Sequence, residues 1–163
     1  MSRQILDIET VMQQLIDEHR KVLAQVVKQR EAMKAFNVRE MEDIALLQEA
    51  TRLRIVKLEL QRRALVQQIV KLYKLKGTPT ISQLSELFPQ QRETLFRLRD
   101  ELREVMGEVR SRTQIAGRVA GSVLGHLNTV VRLLAGVVEK AGTYTKNGVP
   151  RVAPRISSME AVA

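Results

Sequence analysis

Few side chains in this 163-residue chain could do acid–base or nucleophilic chemistry. Its two histidines, His19 and His126, lie far apart, cysteine is absent, and no paired-histidine or His-Glu-x-x-His spacing offers a metal its ligands. His19 falls on an apolar helical stripe, where a packed interhelical histidine is expected in preference to a ligand. No Gly-x-x-x-x-Gly-Lys-Ser/Thr loop exists to cradle a phosphate; Gly117, Gly121 and Gly125 have no Lys-Ser/Thr beside them. Neither catalysis nor a metal nor a cofactor is expected.

The chemistry that remains is that of surfaces, and two stand out. From Arg52 to Lys76, the cations Arg52, Arg54, Lys57, Arg62, Arg63, Lys71, Lys74 and Lys76 face only Glu59, within a chain of net charge +9. Such a run could follow phosphates or an anionic surface. With 3% aromatic residues and no Gly-rich nucleic-acid motif, a solvated helix face is preferred. Binding of nucleic acid or an anionic surface through residues 52–76 is kept as the alternative function. The second surface is the set Gly117, Gly121 and Gly125, which share one helical face. Small residues at this spacing let another helix approach closely, although a loosely packed helix also tolerates them. Both readings stand.

The elements that position these surfaces are all helical. Apolar residues make up 44% of the chain, without Trp, and recur at steps of three and four. A first helix is expected over about 3–35, with Ile5, Ile8, Met12, Leu15, His19, Val22, Val26, Gln29, Met33 and Phe36 on one stripe. Asn37 and Glu40 then form a capping signature, flanked by Phe36 and Met41, that opens a second helix over about 38–74. Whether it folds back or runs on is open. Gly77 and Pro79 end it, Thr80 and Gln83 cap a short helix carrying Ile81, Leu84, Leu87 and Phe88, and Pro89 leads into the last helix.

That last helix keeps one seam but changes chemistry along its length. Its first part, Leu95, Leu98, Leu102, Val105 and Val109, is wrapped in charge. Its second part, Val119, Val123, Leu127, Val130, Leu134 and Val137, is accompanied by glycine and few charges. Three interior glycines cost about 3 kcal/mol relative to alanines. Burying the six apolar side chains could return on the order of 10 kcal/mol at most. Isolated, this part is expected to fray; docked on a partner, it is expected to hold. Arg118 and Arg132 bracket only thirteen uncharged residues, well short of the roughly 20 a bilayer span needs, so no membrane insertion is expected. Past Lys140, Gly142, Asn147-Gly148, Pro150 and Pro154 mark a mobile tail.

The expected fold is all-α: a long antiparallel hairpin or coiled-coil bundle with a long C-terminal helix and a mobile tail. The expected organisation is a coiled-coil scaffold over 1–110, an amphipathic Gly-containing binding helix over 111–140, and a flexible tail over 141–163. A homodimer through the long seams is compatible with this pattern. Without the apolar run of a secretory signal after Met1, the cytoplasm is the default.

Several stretches resemble a known family in order. Leu15-Ile16-Asp17-Glu18-His19-Arg20-Lys21-Val22-Leu23, Lys28-Gln29-Arg30-Glu31-Ala32-Met33 before Asn37, and Gln61-Arg62-Arg63-Ala64-Leu65 are similar to the FlgN-type flagellar export chaperones. Thr80-Ile81-Ser82-Gln83-Leu84, the run Leu95 to Glu104, and the tail Thr143-Tyr144-Thr145-Lys146-Asn147-Gly148 continue the likeness over about residues 10–150. The resemblance implies a cytoplasmic chaperone of hook-associated, or hook–filament junction, proteins for the flagellar type III export system. By position, it implies a substrate surface on Val119, Val123, Leu127, Val130, Leu134 and Val137, and export-gate docking through Tyr144.

Overall fold

The computed structural model describes residues 3–142, with side chains to residue 136. Among these residues it contains helices α1 (Arg3–Lys34), α2 (Val38–Leu72), α3 (Ile81–Leu87) and α4 (Arg92–Gly142), with a 3-10 turn at Pro89–Gln91 and no strand. The fold is all-α.

The first two helices fold back on each other. Phe36 adopts a left-handed conformation, φ 52°, so that its N–H reaches Met33 O at 3.1 Å and the Asn37 N–H reaches Ala32 O at 3.0 Å. This pair of bonds closes the end of α1 as a Schellman turn. A residue with a Cβ in that conformation costs about 1 kcal/mol, offset here by the satisfied carbonyls. Asn37 then caps α2: its Oδ1 accepts from the Glu40 N–H at 3.2 Å. The full capping box expected at this point does not form, because the Asn37 N–H is already taken by Ala32. Glu40 Oε2 instead accepts from Asn37 Nδ2 at 3.1 Å. Across the hairpin, Gln48 Nε2 donates to Gln29, Gln25 Nε2 to Thr51 Oγ1, and Arg54 Nε to Glu18, each at 3.0 Å. Partners descend α1 as they ascend α2, so the pair is antiparallel.

The chain leaves α2 earlier than Gly77 and Pro79 suggest. Lys74 is left-handed, φ 51°, and the Leu75 N–H bonds Val70 O at 3.0 Å, which ends the helix locally. Gly77, at φ 85°, turns the chain where a side chain would be strained. The box at Thr80 is complete: its Oγ1 accepts from the Gln83 N–H at 3.3 Å, and Gln83 Oε1 accepts from the Thr80 N–H at 2.9 Å. Tyr73 meets Phe88 edge to face, ring centroids 5.4 Å apart, tying the end of α2 to the end of α3.

The core gathers Ile5, Ile8, Met12 and Ile16 of α1, Val66 and Ile69 of α2, Leu84 and Phe88 around α3, and Leu95 and Leu98 of α4. Val105 and Ala116 extend the buried seam of α4. Arg20 of α1 meets Glu101 of α4 at 3.4 Å. The chain divides into one compact unit, Met1–Ala120, and a second, Gly121–Ala163.

Candidate partner-binding helix

Within the second unit α4 is helical to Gly142. Its apolar side chains are nevertheless uncovered. Among the described residues from Gly121 to Gly136 none is buried. Leu124 is 65% exposed and Leu134 60%, and Leu127 and Val130 are also exposed. Val119 and Val123 are half-buried. Val137 belongs to α4, but its side chain lies outside the described residues, as does Tyr144.

The seam identified in the sequence is only part of this apolar surface. Leu124, Val131 and Leu133 are as exposed as the seam residues, and their positions off the three-four spacing concealed them. They widen the apolar surface beyond one stripe. A Cβ added at Gly117, Gly121 or Gly125 would meet nothing within 4 Å, so among the described residues no helix backbone uses their smallness. Thr129 Oγ1 donates back to Gly125 O at 3.0 Å, a local bond that hides one more polar group.

One 18-residue window within Pro89–Gly136 reaches a mean hydropathy of 1.2, long and apolar enough by composition to cross a membrane, and none of it is buried. Any window of that length over the uncharged stretch also takes in Arg118 or Arg132. An apolar helix awaiting a protein partner has the same composition.

The basic stretch of α2 does not form one free cationic face. Arg52 pairs with Glu49 at 2.7 Å, Arg62 with Glu59 at 2.9 Å, and Arg54 crosses to Glu18 at 3.0 Å. Glu18 is nearly buried and also accepts from Lys21 Nζ at 2.6 Å. Burial pushes its carboxyl up, but hydrogen bonds and charge from Lys21 and Arg54 outweigh that and hold it below the ordinary carboxylate range. Next to it, burial pushes His19 down against the opposing charges of Glu59 and Glu18; its Nδ1 is buried without a partner. His19 thus packs on the α1 stripe, with burial favouring its neutral form.

A groove of about 670 Å³ lies among α1, α2, α3 and the first part of α4. Ile8, Met12, Val66, Leu84 and Leu102 line it, with Arg62, Arg99 and Arg103 among its polar walls. Met106, exposed and off the α4 seam, also lines it.

The chain is an all-α scaffold that ends in a helix with an uncovered apolar surface. The family described as FlgN protein matches residues 1–151, and the chain belongs to that family, one of flagellar export chaperones. No curated protein and no solved structure matches the chain.

Proposed function

We propose that this chain is a cytoplasmic chaperone that binds hook-associated, or hook–filament junction, proteins and delivers them to the flagellar type III export gate. The observation that carries the reading is the uncovered apolar surface of α4 from Leu124 to Leu134 in a member of a chaperone family. Binding would be helix-in-groove in kind: a terminal amphipathic helix of the export substrate lays its apolar face on Val119, Val123, Leu127, Val130, Leu134 and Val137. Substrate docking would bury what each partner alone exposes, and keep the substrate segment from aggregating before export. Gly117, Gly121 and Gly125 would let the substrate backbone come close, and Tyr144 would contact the gate after loading.

The test is co-purification with candidate junction proteins, using the full chain and a form ending at residue 110. The full chain should capture a junction protein and the truncated form should not; equal capture would remove the site from the part of α4 beyond residue 110. Tyr144→Ala should leave capture intact and lower export, and loss of capture would give Tyr144 a different role.

A further inference from the structure

From Gly121 onward α4 is divided lengthwise into an apolar half and a polar half. At about 100° per residue, Leu133, Val130, Leu134, Leu127, Val131 and Leu124 follow one another around about 180° of the helix, and all six are exposed. The other half carries Gly121, Ser122, Gly125, Asn128, Thr129 and Arg132. The charges are one-sided as well. Between Glu108 and Glu139 the chain holds Arg110, Arg112, Arg118 and Arg132 and no carboxylate. None of these four arginines pairs with a carboxylate among the described residues. Arg110, Arg118 and Arg132 fall within the polar half; Arg112 lies on the apolar side, two turns before Val119.

The width and the charge together state what fits this surface. One partner helix serves a stripe of about 100°, which would leave Leu124 and Val131, or Leu133, in water. A second copy of the same stretch would bring arginine to arginine with no carboxylate to answer it. A flat boundary between water and an apolar phase, by contrast, covers half of a helix at once. Where that boundary is an anionic lipid surface, long arginine side chains reach the phosphates and no carboxylate opposes them. The net charge of +9 adds long-range attraction. We propose that this part of α4 lies in the plane of an anionic lipid surface, with its apolar half among the acyl chains and its arginines at the headgroups. It lies on the bilayer and does not cross it, since the polar half keeps Arg118 and Arg132 at the surface. The proposal does not rest on the chaperone reading. The same side chains would meet a substrate helix, so lipid and substrate exclude each other.

The test uses the full chain, free of any client, and flotation with vesicles of phosphatidylcholine containing about 30% phosphatidylglycerol. The chain should float with these vesicles at about 0.1 M salt, and should float far less with phosphatidylcholine alone or at about 0.5 M salt. Arg118→Gln with Arg132→Gln should weaken partition roughly 10- to 30-fold, whereas Lys57→Gln with Arg63→Gln on α2 should leave it within about twofold. Leu127→Asp with Leu134→Asp should abolish it; both positions are exposed in the free chain, so helicity by circular dichroism should be unchanged. Orientation is read with tryptophan, which the chain lacks. Leu134 and Gly125 stand on opposite sides of α4, so lipid brominated in its acyl chains should quench Leu134→Trp and spare Gly125→Trp. No flotation with anionic vesicles, equal flotation with phosphatidylcholine alone, or equal quenching at the two positions would overturn the proposal. So would a Leu134→Trp already shielded from a soluble quencher without vesicles, which would mean that a second copy covers the face.

Discussion

From Leu95 to Val109 and again from Val119 to Leu134, α4 repeats the same three-four apolar spacing, yet the two stretches meet opposite fates. Leu95, Leu98 and Val105 are buried in the bundle, whereas Leu127, Val130 and Leu134 face water. Periodicity states that a face is to be buried; it does not state what buries it. The flanking residues carry that second piece of information. Around the first stretch, charges such as Arg97 and Glu101 pair at 2.7 Å on the solvent side and mark a helix whose buried face is already served by its own chain. Around the second, glycine and uncharged residues lower intrinsic helicity and the apolar side chains stay in water, the surface that the proposed substrate contact would cover.

The sharpest way to break this comparison is to remove one seam side chain from each stretch. Leu98→Ala should cost about 3–5 kcal/mol, the range for a fully buried leucine whose site cannot collapse. Leu134→Ala should change stability by less than about 0.5 kcal/mol, as exposed substitutions do. Chemical denaturation of the two variants measures both. Equal losses would mean that the second stretch is already buried in the free protein, and the division of labour along α4 would fall.

A second perturbation sharpens it from the other side. Gly121→Ala with Gly125→Ala adds two Cβ atoms where each meets open space. The pair should strengthen the local helix by about 2 kcal/mol, read as slower amide exchange between Val119 and Leu134, and leave denaturation of the first unit unchanged. If the glycines serve close approach, substrate capture should fall although the helix is stronger. If they are merely tolerated, capture should be kept or improved, and the choice between the two readings of Gly117, Gly121 and Gly125 is made.

Local features of this fold were legible because their causes are local. The caps at Asn37 and Thr80, the short helix over Ile81–Leu87 and the seam from Leu95 to Val105 follow from side-chain types at fixed offsets. The fold-back at Phe36 was not, because a phenylalanine in a left-handed turn carries no composition signal; only the tertiary contact of α1 with α2 selects it. Val11, Ile16 and Ala32 are buried although they lie off the α1 stripe, because α1 is covered from two sides, by α2 and by α4. The exposed leucines of α2, Leu46, Leu53 and Leu60, were hidden for the converse reason. With apolar residues on both faces, the helix shows no single amphipathic period, and these three blend into a sequence of generally apolar character. Along the second stretch of α4, the seam was visible and its width was not, since Leu124, Val131 and Leu133 depart from the spacing that revealed the rest.

The smallest expected effect separates the two regions by pH. Glu18 is held below the ordinary carboxylate range in the folded chain, so the unfolded chain binds its proton first as acid is added. Its contribution to stability is therefore complete above the ordinary glutamate pKa of about 4.3 and is lost as pH falls from there through the lower folded value. His19, pushed down by burial, acts in the same direction at higher pH: stability begins to fall as pH drops below the ordinary histidine value of about 6.5. Glu18→Gln should cost about 1 kcal/mol at neutral pH, kept small because Lys21 and Arg54 remain half in water, and should flatten the lower limb of the profile. Between Val119 and Leu134 there is no carboxylate at all. Amide exchange, corrected for its intrinsic pH dependence, should therefore show protection falling in the hairpin between pH 7 and 4 while the second stretch of α4 keeps its own. Parallel losses in both would mean that the hairpin and the second stretch of α4 open together, as one cooperative unit instead of two.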